Sequence, residues 1–446
     1  MKILSGLLAL YRPAPFVQPL PEERVPSVYE RYRFQILSCA MGGYAGFYLV
    51  RKNFSLAKPY LISEMGFTTG DVGLIGCALS IAYGISKFYM GHLADRANPR
   101  YFLATGLIFS GLVNLFFGFL PSLWTMFLFW FLNGWAQGMG YSPCVRVMTH
   151  WFSDRERGVK FSLWNISHNI GGGLVGPIAS LAILLLGSWR SIFYVPGALA
   201  ILTGLACLVF LRDTPQSVGL PPIEEFKNDY PPTAAQDREK ELSSREIFFG
   251  FILNNKTLWV LAIANIFVYV VRYGVLDWAP TYLTAAKNYG HDQSRWLFLV
   301  YEYAGIPGML LAGWASDRFF HGRRGPVSAL CMLAVTAGVT VYWLNPPGHP
   351  LVDTMALLGI GFFVYGPVML VGLAAVDSVP KKAAGTAAGL TGFFGYLGGA
   401  TIAELGIGKV VQYYGWDGGF KLLLWSCALS TLLLALTWNA HDRRKA

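Results

Sequence analysis

About twelve apolar stretches, each near 20 residues, divide this chain at 34–56, 71–93, 100–119, 122–148, 159–186, 189–211, 257–283, 293–316, 325–345, 351–377, 383–411 and 418–438. Each can cross the ~30 Å hydrocarbon core of a bilayer as one helix. Lipid offers no partner to a lone backbone amide, so only helices and closed barrels span it. These stretches are too long and too continuously apolar for barrel strands. The expected fold class is an all-α polytopic membrane protein. Only 13% of the 446 residues are charged, which a soluble chain of that length would far exceed. Fifty glycines and fourteen tryptophans suit helices that pack closely in lipid and anchor at its interfaces.

The net charge of +10 is explained by placement and does not indicate nucleic-acid binding. With both termini cytoplasmic, 24 of the 35 lysines and arginines fall in or at the edge of inside segments, whereas five (Lys58, Arg190, Lys287, Arg295 and Lys421) fall in outside loops. That asymmetry predicts cytoplasmic termini. All six cysteines (Cys39, Cys77, Cys144, Cys207, Cys331 and Cys427) lie in apolar stretches at no metal or disulfide spacing, and read as small apolar residues. The start, Met1 to Tyr11, imitates a signal peptide but lacks a small-x-small site and runs into Pro13, Pro15 and Pro19, which favours an interfacial segment.

The segment 212–256 breaks the apolar pattern with Asp-Thr-Pro, Leu-Pro-Pro, Tyr-Pro-Pro and a charged run at 237–241. It reads as a polar linker between two halves. The expected organisation is an N-terminal segment 1–33, a six-helix bundle 34–211, the linker 212–256, a second six-helix bundle 257–438 and a tail 439–446. An internal repeat supports the division. Tyr48-x-x-Arg51 followed by Pro59 recurs as Tyr269-x-x-Arg272 followed by Pro280, shifted by 221, and Gly91-x-x-x-Asp95-Arg96 recurs as Gly313-x-x-x-Asp317-Arg318, shifted by 222.

Arg51 and Arg272 stand inside apolar stretches, one in each half. A guanidinium stays charged and is costly at bilayer depth, so it normally faces a cavity or a partner. Two at matched positions suggest a dianion held between them, since planar guanidinium forks match phosphate oxygens bidentately. Tyr44, Tyr48 and Arg51 share one helical face, the alternative reading being an interfacial tyrosine belt with a snorkelling arginine. Lys52 is free on this reading to reach the headgroups. Asp277, about 140° around the helix from Arg272, pairs poorly with it, which leaves a salt bridge to another helix.

His168, with Asn165 one turn before it, is either a hydrogen-bonded core residue or a ligand. Its titration range overlaps that of a phosphate ester. Lys87, one turn after Tyr83, either meets an incoming anion or snorkels. Glu302 is an acid on an anion's path, expected to pair with an arginine when the site is empty. Tyr365 and Tyr396 either donate hydroxyls to substrate or simply pack. Asp95, Arg96, Asp317 and Arg318 are expected to gate through pairs across loops or at helix ends. Gly171 to Gly173 and Gly398-Gly399 lack the Lys-Ser/Thr of a nucleotide loop and read as helix crossings. No ATP motif is present, no cofactor or metal is expected, and no nucleophile or metal cluster supports an enzyme such as a membrane phosphatase.

The repeated Gly-x-x-x-Asp-Arg motif resembles the major facilitator superfamily. Within it the chain from about 29 to 442 resembles the organophosphate:phosphate antiporters, on Tyr-Leu-Val-Arg-Lys-Asn-Phe (48–54), Ile-Ala-Tyr-Gly-Ile-Ser-Lys (81–87), Trp-Asn-Ile-Ser-His-Asn-Ile-Gly-Gly-Gly (164–173), Tyr-Gly-Pro-Val-Met-Leu (365–370), Phe-Phe-Gly-Tyr-Leu-Gly-Gly (393–399) and the linker run Arg-Asp-Thr-Pro-Gln-Ser (212–217). The resemblance implies twelve transmembrane helices in two pseudo-symmetric six-helix bundles, the major facilitator fold. It also implies exchange of an external organophosphate for internal inorganic phosphate by alternating access, across a bacterial inner membrane. A functional monomer within the lipid bilayer is expected. Arg51 and Arg272 would be the phosphate-binding arginines, with His168 on the same phosphate. The hexose-phosphate branch has Asp and Lys where this chain has Ala388 and Thr391, which points to a smaller ester such as glycerol 3-phosphate. A hexose-phosphate carrier and a transporter-like sensor of sugar phosphate are the alternatives.

Overall fold

The computed structural model describes residues 10–94, 96–229, 247–379 and 383–439. Asp95, the start of the proposed interfacial segment, the charged run 237–241 and the tail from 440 lie outside the described residues. Six long helices make the first half: α1 (Val25–Met65), α2 (Thr69–Ala94), α3 (Pro99–Phe117), α4 (Leu123–Trp151), α5 (Asp154–Leu186) and α6 (Ser191–Phe210). The second half holds α7 (Lys256–Ala286), α8 (His291–Phe320), α9 (Arg324–Leu344), α10 (Pro350–Asp377), α11 (Ala384–Phe393) and α12 (Ile407–Leu436). Between α11 and α12 the helix continues through two wider-turned segments, Phe394–Ala400 and Ile402–Gly406. A break at Gly415 (φ 67, ψ −174) turns the chain into its last crossing.

Nine helical stretches among the described residues are long and apolar enough to cross a membrane, and the last of these, Gly385–Leu436, covers two crossings. α1 and α4 are not among them because they carry interior polar residues: Arg51, Lys52, Asn53 and Lys58 on α1, and Asn133 and Gln137 on α4. Large apolar side chains such as Phe116, Leu128, Leu184, Leu202 and Trp425 face outward, as lipid-facing residues must.

Helices overrun the apolar windows where local chemistry lets them. α3 starts at Pro99, capped by the Asn98 side chain, which accepts from the Arg100 amide at 3.1 Å. α5 starts behind Ser153, whose amide donates to Glu156 at 3.2 Å. Close helix crossings rest on the glycines singled out in the sequence. A Cβ on Gly171 would strike the Ala45 backbone of α1, and one on Gly173 would strike Tyr303 of α8. A Cβ on Gly399 would likewise strike the Ile266 backbone of α7.

The halves meet along three seams: α1 with α7, α2 with the α11–α12 region, and α5 with α8. The N-terminal segment and the linker lie together, with Leu20 donating to the Gly219 carbonyl at 2.8 Å and Val17 to that of Gln216 at 3.2 Å. This end is called the terminal face below. All six cysteines are free thiols.

Candidate functional site

Midway along α1, the Arg51 side chain turns toward the seam and is only 7% exposed. Its guanidinium carbon lies 4.4 Å from the ring centre of Tyr83 on α2, 5.2 Å from that of Tyr396 and 5.4 Å from that of Tyr48. Arg272 on α7 is 3% exposed, and its guanidinium stands 4.6 Å from Tyr365, 4.9 Å from Tyr273 and 5.8 Å from Tyr269. The two cages share a wall: the Tyr273 hydroxyl meets the Tyr396 hydroxyl at 3.5 Å, and the rings of Tyr269 and Tyr396 are 5.2 Å apart. Arg51, Lys87 and Arg272 are all charged neighbours of Tyr396.

Aromatic faces attract a cation without neutralising it. Among the described residues neither guanidinium forms an ion pair, and the Nε of Arg272 is buried without a hydrogen-bond partner. A buried donor on a permanent cation is costly to leave unmet. Arg272 therefore keeps a donor that the described residues leave unmet.

His168 bridges the halves, its ring 5.5 Å from that of Tyr48 and 5.9 Å from that of Tyr365. Its Nδ1 meets the carbonyl of Asn165. A ring nitrogen facing a carbonyl carries the proton, so Nε2 of the neutral ring is an acceptor. Asn165 itself reaches across to the Met309 sulfur at 3.5 Å. Lys87 is half-buried, 4.9 Å from the Tyr141 ring and 5.7 Å from that of Tyr396, which places it beside the site rather than among headgroups. Tyr44 contributes differently from expectation: it packs in an aromatic group with Trp164 and Tyr141 and touches neither arginine.

Glu302 corrects another expectation. Among the described residues it forms no ion pair with an arginine; its Oε2 accepts from the Tyr365 hydroxyl at 2.6 Å and from Asn169 at 3.2 Å. Arg272 meets the same Tyr365 oxygen at 3.4 Å, so the hydroxyl stands between acid and base. A direct pair is forestalled because Tyr365 fills that space.

Asp277 does pair with another helix. Lys52 donates to both of its oxygens at 2.7 and 3.0 Å, and Ser55 donates to one at 2.9 Å. The snorkelling route for Lys52 is thereby overturned: the side chain is 2% exposed, because the seam offers a carboxylate that the headgroups would have to outbid. Lys58, placed by sequence in an outside loop, is wholly buried and bonds Glu404 at 2.6 Å. Arg295 and Lys287, assigned to the same class of loop, are buried as well, with Arg295 reaching Ser180 and Tyr60 across the seam and Lys287 pairing with Asp353 at 3.0 Å.

Among the described residues, the loop residues Arg96, Asp317 and Arg318 do not join the halves. Asp317 pairs with Arg324 at 2.5 Å inside the second half, and Arg96 and Arg318 are exposed. Sequence reading missed Asn169, Tyr273, Lys58 and Glu404. Asn169 had a local signal, standing one turn after Asn165 on the face of His168. Lys58 and Glu404 had none, being 346 residues apart.

Comparison with known proteins gives this geometry a context. The Major Facilitator Superfamily profile matches residues 40–403. The "Glycerol-3-phosphate transporter" of Bacillus subtilis (strain 168) is 54% identical over 441 residues, covering 98% of this chain and 99% of that protein. The "Probable hexose phosphate transport protein" of Chlamydia pneumoniae is 43% identical, covering 95% and 94%. Among solved structures, a bacterial homolog of the human lysosomal transporter Spinster aligns with a TM-score of 0.70 at 17% identity, covering 91% of this chain and 95% of that one, a likeness of fold.

Proposed function

The chain belongs to the Major Facilitator Superfamily, and from that premise we propose that it carries glycerol 3-phosphate inward in exchange for inorganic phosphate. It is an organophosphate transporter of that superfamily and not an enzyme. The observation that carries the finer reading is the pair of buried guanidiniums, one from each half, neither paired with a carboxylate and one with an unmet donor.

Charge supports a dianion. Lys52 and Asp277 neutralise each other, which leaves Arg51, Arg272 and Lys87 against Glu302 among the described residues of the site, a formal excess of two positive charges. Phosphate oxygens would take the forks of Arg51 and Arg272, and Nε2 of His168 would accept from a protonated phosphate oxygen. The tyrosine hydroxyls would serve the ester end. A bound anion replaces repulsion between two cations by two attractions, so the halves close around it. Without an anion the same step meets like charges, which makes exchange the favoured cycle.

The basic bias of the terminal face sets it toward the cytoplasm. The opposite face is then the outer one, where Lys52–Asp277 and Lys58–Glu404 join the halves. A hexose phosphate is the second reading, favoured by the 43% identity to the chlamydial protein.

Purified protein in phosphate-loaded liposomes tests the exchange. Labelled glycerol 3-phosphate should enter only when phosphate is inside, and Arg51→Lys or Arg272→Lys should each lower uptake by at least about tenfold, the worth of ~1.4 kcal/mol of lost bidentate contact. Uptake without internal phosphate would remove the exchange, and near-normal uptake by either lysine variant would remove the paired clamp.

A further inference from the structure

Behind Arg51, on the side of α1 away from the site, lies a second polar group that the exchange chemistry does not use. Asn53 is two residues on, about 200° around the helix. Its amide donates to Asn114 of α3 at 2.8 Å and to the Ile192 carbonyl of α6 at 3.0 Å. Asn114 in turn donates to the carbonyl of Val50, the residue before Arg51, at 3.2 Å, and Asn133 of α4 donates to that same oxygen at 2.7 Å. One turn further back, Gln137 of α4 donates to the Phe47 carbonyl at 3.2 Å. The three asparagines are wholly buried.

Between membrane helices such side-chain bonds each contribute little to association. Apolar side chains of the same size would hold the helices about as well. What the amides add is register. A carbonyl fixed from two directions allows α1 neither to slide nor to rotate, and the residue so fixed adjoins the guanidinium. The other half has a parallel arrangement made from a different side chain: the Tyr301 hydroxyl donates to the Arg272 carbonyl at 3.1 Å.

We infer that Asn133 and Asn114 are positioning residues for Arg51, holding the α1 backbone by the Val50 carbonyl so that the guanidinium is presented to the anion. The inference rests on the paired-arginine reading above. Neither asparagine touches substrate. Their effect reaches phosphate only through the placement of Arg51, and a displacement of about 1 Å is enough to spoil a bidentate contact.

The test is a titration of the full-length protein in detergent with inorganic phosphate, followed by calorimetry, alongside the unfolding temperature without phosphate. Arg51→Lys serves as the control. Wild-type protein should bind, Arg51→Lys should bind far more weakly, and Asn133→Leu should bind about tenfold more weakly with an unchanged unfolding temperature. In an Arg51→Lys background, Asn133→Leu should add nothing further, since the effect passes through that arginine. Equal binding by wild type and Arg51→Lys would sink the clamp and leave the two asparagines without a positioning role. Normal affinity in Asn133→Leu, or a lowered unfolding temperature with normal affinity, would overturn the positioning role alone. Should Asn133→Leu fail to fold, the shorter Asn133→Ser is titrated on the same terms, and wild-type affinity there is equally fatal.

Discussion

On the proposed reading, a single residue, His168, would connect anion binding to pH. Its Nδ1 proton is committed to the Asn165 carbonyl, so the neutral ring can only accept at Nε2. A phosphate that retains a proton suits that ring, whereas a fully ionised one requires the ring to be protonated first. Either route would make binding proton-linked. In His168→Gln the amide presents both a donor and an acceptor at every pH. Phosphate affinity should therefore fall by about fivefold (~1 kcal/mol for one lost charge-assisted bond) and lose its slope between about pH 5.5 and 8. Titrations at several pH values check this, and a variant that keeps the wild-type slope would show that the proton is carried elsewhere. The arginines were legible in the sequence because a permanent cation in an apolar run demands an explanation, and repetition at 221 residues supplied one. The environment of Glu302 was not, because it depends on where the Tyr365 hydroxyl comes to rest from another helix.

Among the long helices, the stretch from α11 to α12 departs from the regular helix over two successive segments. The wider turns at Phe394–Ala400 and Ile402–Gly406 carry Tyr396 and Glu404. Such turns re-aim side chains that a regular helix would direct elsewhere, and they are frequent at functional positions. The helix period in the sequence cannot announce them, since the apolar pattern continues through both. The break that follows was half-legible: the sequence ends one stretch at 411 and begins the next at 418, and the chain turns between them at Gly415. With φ 67 and ψ −174, that residue occupies a region reserved in practice for glycine. A Cβ there would meet nothing within 4 Å, so a substitution reports backbone strain alone. Gly415→Ala should cost about 1–3 kcal/mol and lower the unfolding temperature in detergent without changing phosphate affinity in the folded fraction. An unchanged unfolding temperature would mean that the turn relaxes freely.

At the scale of the whole molecule, the face opposite the termini is where buried charge joins the halves. Lys52 and Asp277 meet on one level, and Lys58 and Glu404 meet beyond them, nearer the end of α1. Lys58 also stands 4.0 Å from the Trp278 ring of α7. Thr69 adds a bond to the Gly408 carbonyl at 3.0 Å, and Tyr60 stacks on His291 at 4.3 Å. On the proposed orientation and cycle, an outer entrance would open only if these contacts parted. Removing one member of a buried pair leaves an uncompensated charge, which costs about 3–5 kcal/mol, whereas removing both is close to neutral. Lys58→Met should therefore drive this face open, because opening lets water reach the stranded Glu404. Lys58→Met with Glu404→Gln should close it again. A cysteine placed at Tyr60, treated with a membrane-impermeant thiol reagent from that side, reads the difference as a faster labelling rate in the single variant and a near-parental rate in the double. Equal rates in all three backgrounds would show that the pair is static packing and that the seam opens somewhere else.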